Sequence, residues 1–211
     1  MFSHLFHRLP ALIPSTKTQE TSVAGMRLTV HPTVFHPKNY LSSKVLAKHL
    51  KTMNLEGKHV LDCGTGTGVL AIAAAKRGAI VTAVDINDLA LEATRENAER
   101  NEVTLRILHS DWFSALGEEK FDLIVANPPF IKGTGMHPYN SAWHAGENHE
   151  HVLGLIEGCD DHLAPKGEVL VVLSHHSDIE FWINEFSTEG LHGECIYRSL
   201  FSRFMIFRFS D

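Results

Sequence analysis

The fold is decided by the stretch Val60-Leu61-Asp62-Cys63-Gly64-Thr65-Gly66-Thr67-Gly68, in which an apolar run meets three closely spaced glycines. Residues 58–63 have the length and nearly continuous apolar character of a buried parallel strand. Residues 69–77 are mostly small and apolar, which predicts a helix that Gly78 ends. Because glycine lets a backbone bend tightly and approach a ligand closely, the stretch predicts a strand, a binding turn and a helix.

An acidic residue at the end of the next strand points to a nucleoside ligand. Asp85 follows the predicted strand 79–84 and lies 21 residues after Gly64, the spacing of the acid that binds ribose hydroxyls in dinucleotide folds. NAD folds use G-x-G-x-x-G, however, and the Asp62 carboxylate would repel a pyrophosphate. S-adenosylmethionine (SAM) carries an ammonium and a sulfonium, so the electrostatics favour SAM over NAD. An alternative role for Asp62 is only to brace the glycine turn.

The third strand, predicted at 103–108, is followed by Ser110-Asp111-Trp112-Phe113. In this topology that strand end lies beside the adenine. Asp111 could accept a hydrogen bond from the adenine amine, and Trp112 or Phe113 could pack on its ring. The alternative is that Asp111 caps a helix and both aromatic residues belong to the core.

A second motif, Asn127-Pro128-Pro129-Phe130, directly follows the predicted strand 121–126. Two prolines cannot continue a central strand, so the motif predicts a stiff loop at the carboxyl end of the strand, where open α/β sheets bind ligands. The Asn127 amide and the Pro128 carbonyl offer acceptors for N–H groups, and Phe130 offers a stacking face. The set suits a planar, amine-bearing group, although a plain turn with Phe130 in the core explains the same residues.

Strand-like and helix-like runs alternate along the chain, which predicts an α/β fold with a mostly parallel sheet and helices on both faces. Residues 195–197 and 204–209 favour a closing antiparallel pair. Residues 1–25, which contain Pro10 and Pro14, predict a flexible N-terminal arm or lid, and residues 26–211 form the second predicted unit. The predicted strands lie at 27–30, 58–63, 79–84, 103–108, 121–126 and 168–173, and the predicted helices at 41–53, 69–77, 87–100, 147–163 and 179–186.

Composition narrows the function classes. The net charge of −6 gives no global basic field for nucleic acid. The three cysteines are far apart and lack C-x-x-C spacing, which is typical of reduced thiols in the cytoplasm. No apolar run reaches the roughly 20 residues that a membrane span needs. The histidine-rich segment 137–151 fits no metal-ligand spacing, so we expect no metal site.

The quoted motifs together resemble class I SAM-dependent methyltransferases, and within them the small-methyltransferase group that carries N-P-P-[YF]. The closest resemblance is to the glutamine methyltransferases that modify peptide-release factors (HemK/PrmC type), and it covers roughly residues 33–211. Phe130 stands where those enzymes usually have tyrosine. The resemblance rests on Leu61-Asp62-Cys63-Gly64-Thr65-Gly66-Thr67-Gly68, Val84-Asp85-Ile86-Asn87, Ser110-Asp111-Trp112-Phe113-Ser114-Ala115-Leu116 and Asn127-Pro128-Pro129-Phe130.

The resemblance implies a Rossmann-like fold with a seven-stranded sheet and an antiparallel C-terminal strand. It implies N-methylation at a planar amide or amine, best matched by a protein glutamine. Catalysis would fall to Asn127, Pro128 and Phe130. The implied cofactor-binding residues are Asp62, Gly64, Thr65, Gly66, Gly68, Asp85, Ile86, Asp111, Trp112 and Asn127.

Two other functions stay open from the sequence. The same chemistry could act on an exocyclic amine of adenine or guanine in RNA or DNA, and a partner subunit could then supply the basic surface. The fold could also bind SAM or a partner without turnover. A protein or nucleic-acid substrate and a small activating subunit are the expected partners.

Overall fold

The structure of the protein is a computed structural model, and the residues it describes are 18–32, 34, 41–133, 144–199 and 203–211. The helices are α1 (Leu41–Leu50), α2 (Val69–Ala75), α3 (Asp88–Arg100), α4 (Leu153–His162) and α5 (Ile179–Thr188). The strands are β1 (Gln19–Val23), β2 (Met26–Val30), β3 (His59–Cys63), β4 (Ile80–Asp85), β5 (Arg106–His109), β6 (Phe121–Ala126), β7 (Ile131–Lys132), β8 (His144–Gly146), β9 (Leu163–Ser174), β10 (His192–Arg198) and β11 (Phe204–Ser210).

Seven strands form one sheet in the order β10-β11-β9-β6-β3-β4-β5. Strands β9, β6, β3, β4 and β5 are parallel, and β11 runs antiparallel to both of its neighbours. The predicted α/β fold with a mostly parallel sheet and an antiparallel C-terminal strand is confirmed. The chain builds outward from β3 to β5 and then returns to the other side of β3 at β6. The carboxyl ends of β3 and β6 therefore flank the switch point, where such sheets bind ligands.

Both faces of the sheet are covered, which explains the apolar run of β3. Leu61 and Cys63 pack into a core with α4 and α5, while Val60 packs on the opposite face with α1 and α2. The small side chains of α2 are almost entirely buried, so this helix lies close to the sheet behind the glycine turn. The predicted cap of α3 is confirmed, because the Asn87 side chain accepts a hydrogen bond from the Leu89 N–H.

Strands β1 and β2 form a separate antiparallel hairpin. Val23 of β1 is buried in the core beside α1 and α2, so residues 19–23 belong to the fold. The extent of the predicted arm is therefore corrected at its C-terminal end, because its last residues pair in register with β2. The arm or lid stays a prediction for residues 1–17, which lie outside the described residues.

The helix predicted at 147–163 is wrong at its start. Residues 147–152 form turns, and α4 begins at Leu153. His149 has a φ of 60°, a left-handed conformation that cannot continue a right-handed helix. In the described residues, no helix combines the length and apolar character that crossing a membrane requires.

Candidate functional site

A cavity of about 770 Å³ lies at the carboxyl ends of the central strands. Most of the predicted site residues line it, namely Gly64, Thr65, Gly66, Asp85, Ile86, Asp111, Trp112, Asn127 and Pro128. Asp62, Gly68 and Phe130 do not line it. Residues that the sequence did not single out also contribute, among them Ser43, Glu150, His151 and Gly154.

Asp85 is fixed at the end of β4 by the backbone. Its Oδ2 accepts a hydrogen bond from the Gly66 N–H and its Oδ1 one from the Asn87 N–H, both at 2.9 Å. Burial raises the pKa of Asp85, and the backbone hydrogen bonds oppose that rise. Each carboxylate oxygen has further acceptor capacity, so the side chain can still accept hydrogen bonds from the hydroxyl groups of a ligand in the cavity.

Asp62 is fully buried and supports the glycine turn from below. Its Oδ2 accepts hydrogen bonds from the Thr65 hydroxyl at 2.8 Å and the Ala71 N–H at 2.9 Å. Burial raises the pKa of Asp62 to about 7, against the opposing effect of these two bonds. Its Oδ1 is buried and has no hydrogen-bond partner within the described part of the chain. These contacts fit the bracing role, and direct contact with a cationic ligand stays a prediction.

Gly68 shapes the turn although it does not reach the cavity. Its φ of 77° is left-handed, and a Cβ at this position would lie 2.9 Å from Thr94 Cγ2. A side chain there would be strained by the backbone and would also collide with α3. The third glycine is therefore needed for close packing between the glycine turn and α3.

Trp112 forms a wall of the cavity between the turn and α4. A Cβ added to Gly64 would lie 3.8 Å from the indole, and a Cβ added to Gly154 would lie 2.9 Å from Trp112 Cδ1. The Ser110 hydroxyl donates to the Trp112 carbonyl at 2.8 Å and so fixes this loop. Ile86, which is 62% exposed, lies on the same cavity. Phe113 is instead a core residue that stacks on His162 at a centroid distance of 4.5 Å.

Asn127 follows β6 directly and contacts a distant segment of the chain. Its Nδ2 donates a hydrogen bond to the Ser43 hydroxyl at 2.8 Å. Its Oδ1 is buried and, among the described residues, has no hydrogen-bond partner. A buried acceptor without a partner costs free energy, so this oxygen is suited to an N–H group that a ligand brings.

Phe130 is buried and packs edge-to-face against Phe204 at a centroid distance of 6.1 Å. This placement matches the core alternative more closely than a stacking face on the cavity. A stacking role for Phe130 stays a prediction.

The histidine-rich segment is only partly described, and His137 lies outside the described residues. His151 lines the cavity, and its Nδ1 is 3.0 Å from the His144 carbonyl. A carbonyl only accepts, so in the neutral ring Nδ1 carries the proton and Nε2 is an acceptor. Across the described ranges, no group of three or more His, Cys, Asp or Glu residues could hold a metal ion.

The site therefore has two chemical parts. One part is a glycine turn with a carboxylate and flat apolar walls, which suits a nucleoside. The other is the amide oxygen of Asn127, which follows β6 beside Pro128 and can accept a hydrogen bond from a ligand N–H group.

Comparison with known proteins identifies the family. Residues 25–190 match the protein family described as methyltransferase small domain. A Methanocaldococcus jannaschii protein assigned as a protein N5-glutamine methyltransferase is 39% identical over 110 residues, which are 52% of this chain and 53% of that protein. The chain thus spans about half the length of this curated relative.

Two solved structures show the fold. The 16S rRNA N2 G1207 methyltransferase (RsmC) of T. thermophilus, in complex with AdoMet and guanosine, superposes with a TM-score of 0.69 at 22% identity, covering 91% of this chain and 49% of that chain. The E. cuniculi Mtq2-Trm112 complex, responsible for methylation of the eRF1 translation termination factor, gives a TM-score of 0.65 at 22% identity, covering 85% of this chain and 99% of that chain.

Proposed function

Because the chain belongs to the methyltransferase small domain family, we propose that it is a SAM-dependent N-methyltransferase of the side-chain amide of a protein glutamine. The observation that carries the proposal is the buried Oδ1 of Asn127 at the switch point of the sheet, which has no hydrogen-bond partner among the residues that the structure describes. The M. jannaschii relative, assigned to N5-glutamine methylation, supports this substrate class.

The cofactor of the family is S-adenosylmethionine, and the residues of the cavity fit it. The cofactor supplies a methyl group that its sulfonium already activates. Asp85 would accept from the ribose hydroxyls, since a carboxylate oxygen can accept a further hydrogen bond beside those from the Gly66 and Asn87 N–H groups. Trp112 and Ile86 would hold the adenine ring, and Asp111 would accept from its amine. A Cβ at Gly154 would collide with Trp112. Glycine at this position therefore leaves room for the indole to pack on the adenine ring.

On the substrate side, this chain would orient the acceptor nitrogen. An amide nitrogen is a poor nucleophile because its lone pair is delocalised. Asn127 Oδ1 and the Pro128 carbonyl would accept hydrogen bonds from the two amide hydrogens, which directs the lone pair toward the methyl group. The same acceptors would stabilise the positive charge that develops on nitrogen, an effect that is largest in the transition state. The methylated nitrogen would then release one of its N–H protons to water.

Two further features belong to the proposal. The chain has three free cysteines, two of them buried, which suits a reducing cytoplasm. Because the E. cuniculi enzyme of the same fold is in complex with Trm112, we also propose that a small activating subunit accompanies this chain.

The proposal is tested with the purified protein, labelled SAM and a cell extract that is separated into protein, nucleic acid and small molecules. We expect label in protein, recovered as N5-methylglutamine after digestion and mass spectrometry. The Asn127→Ala variant serves as the control for contaminating activity. Label in RNA or DNA would replace the substrate class with a base amine, and SAM binding without any transfer would favour the non-catalytic alternative.

A further inference from the structure

Ser43 lies outside the recognised motifs, yet it is the residue that Asn127 contacts. The bond from Asn127 Nδ2 to Ser43 Oγ is 2.8 Å long and joins positions 84 residues apart. Ser43 is only 4% exposed and lines the same cavity. We propose that Ser43 is a positioning residue, which fixes the Asn127 side chain so that its oxygen, and not its NH₂ group, is left for the substrate.

The position of Ser43 is set by the packing of α1. Leu46, Ala47 and Leu50 are fully buried, and α1 packs against α2, β9 and β11. Residues three and four apart share one face of a helix, so Ser43 lies on the same buried face as Leu46 and Ala47. The hydroxyl is thus carried by a rigid element, while Asn127 is carried by the end of a central strand.

The contact decides which half of the amide is available. An asparagine side chain carries one acceptor oxygen and one donor nitrogen, and rotation about its last bond exchanges them. Ser43 accepts from the nitrogen, which leaves Oδ1 buried and unpartnered within the residues that the structure describes. A site with a free acceptor selects substrate groups that donate, such as amides and amines, and disfavours carboxylates. This assignment rests on the proposed N-methylation and specifies that Ser43 orients the Asn127 side chain for that reaction.

Ser42 supplies a matched control. It is the neighbouring serine of the same helix and is also buried, but its hydroxyl has no hydrogen-bond partner in the described segments and does not line the cavity. Ser42→Ala therefore repeats the chemical change without removing the contact to Asn127. Ser43→Thr keeps the hydroxyl and serves as the rescue variant.

The first experiment reads the contact without turnover. The side-chain NH₂ signals of Asn127 are assigned in a ¹⁵N–¹H spectrum by their loss in Asn127→Ala. We expect Ser43→Ala to shift these signals, and Ser42→Ala and Ser43→Thr to leave them close to their original positions. Unchanged signals in Ser43→Ala would show that the hydrogen bond is absent, and would overturn the proposal whatever the enzyme methylates.

The second experiment measures single-turnover methyl transfer together with SAM affinity. We expect Ser43→Ala to slow transfer roughly 5- to 100-fold, the effect of leaving a buried donor without its partner, with SAM affinity changed less than about threefold. Ser43→Thr should recover most of the rate. In an Asn127→Ala background, Ser43→Ala should have no further effect, because Ser43 acts only through Asn127.

Three outcomes would overturn the proposal: equal losses in Ser42→Ala and Ser43→Ala, an unchanged rate in Ser43→Ala, or an additive loss in the Asn127→Ala background. Absence of methyl transfer by the unmodified protein would instead refute the proposed function. The spectroscopic result distinguishes that failure from a failure of the Ser43 assignment.

Discussion

The two sides of the cavity are built in different ways. On the glycine-turn side (residues 62–68, 85 and 110–112), the carboxylates accept hydrogen bonds mainly from backbone N–H groups of the turn and of nearby residues. On the Asn127 side (residues 43 and 127–129), the side-chain amide depends on a serine 84 residues away, and its oxygen has no hydrogen-bond partner in the described part of the chain. The carboxylates of the first side are held mainly by nearby backbone groups, although Asp62 Oδ1 also has no hydrogen-bond partner in the described residues. The orientation of the Asn127 amide depends instead on one distant side chain.

This difference predicts that cofactor binding and methyl transfer depend on different sides of the cavity. A site whose hydrogen bonds come from the backbone can bind the same cofactor whichever substrate is methylated. A site that one tertiary contact orients can change its substrate when a few side chains change. We therefore expect substitutions on the glycine-turn side to affect SAM binding and those on the Asn127 side to affect turnover.

The largest expected effect tests that separation directly. Asn127→Ala removes an acceptor whose hydrogen bond to the substrate should strengthen in the transition state. The rate of single-turnover methyl transfer should therefore fall roughly 10²–10³-fold. SAM affinity, measured by calorimetry on the same preparation, should change far less because the glycine turn and Asp85 are untouched. A parallel collapse of SAM affinity would place Asn127 in the cofactor site or in the fold.

The same difference explains what the sequence could predict. The sequence predicts strand β3, the glycine turn, Asp85 and Trp112, because spacing within a short stretch determines their geometry. Ser43 was not recoverable, because a contact between α1 and the end of β6 leaves no local signal in either segment. The start of α4 was missed because His149 adopts a left-handed conformation that its residue type does not predict.

A second prediction concerns the buried carboxyl of the glycine-turn side. Burial raises the pKa of Asp62 to about 7, whereas in an unfolded chain it is about 3.9. Between these values the unfolded chain loses the proton that the folded chain keeps, so the contribution of Asp62 is full below pH 4 and is lost as pH rises through 7. Asp62→Asn lacks this loss and should gain up to roughly 4 kcal/mol relative to the unmodified protein between pH 4 and 8.

Thermal or denaturant unfolding at several pH values measures this difference, and Asp122→Asn is a control of opposite sign. The His59 N–H and then Lys58 lower the pKa of Asp122, so its contribution is present above pH 4 and is lost in acid. Asp122→Asn should therefore be less stable than the unmodified protein at neutral pH, with the difference shrinking in acid. Parallel curves for Asp62→Asn and the unmodified protein would mean that Asp62 is ionised in the fold at acidic pH.

A third prediction tests the ribose contact. Asp85→Ala removes the charged acceptor at the end of β4 and leaves the Gly66 and Asn87 N–H groups without it. SAM affinity should fall by about 1.5–3 kcal/mol, the range for a hydrogen bond to a charged group. Asp85→Asn keeps one acceptor oxygen and should lose less. Calorimetry with SAM, S-adenosylhomocysteine and NAD checks both points, and NAD should not bind. Unchanged SAM affinity in Asp85→Ala would remove the residue from the cofactor site.

The smallest expected effect comes from the wall of the cavity. In Gly154→Ala the new Cβ would lie 2.9 Å from Trp112 Cδ1, so the indole must move. Because the Ser110 hydroxyl holds the Trp112 carbonyl, we expect the movement to fall on the indole, which lines the cavity. Overpacking a core costs about 1–3 kcal/mol, and one side of this indole is open, so we expect SAM affinity to fall only roughly threefold to tenfold.

Gly158→Ala makes the same change one helical turn further along α4, and it isolates the part played by Trp112. Its Cβ would collide with the ring of Phe113, which does not line the cavity, so this variant should lose stability while SAM affinity stays the same. Both variants gain the same helix propensity, and unfolding curves correct for any difference in folded fraction. If Gly158→Ala weakened SAM binding as much as Gly154→Ala, strain along α4 and not displacement of the indole would be the cause. The glycine-turn side would then depend on the packing of α4, as the Asn127 side depends on α1.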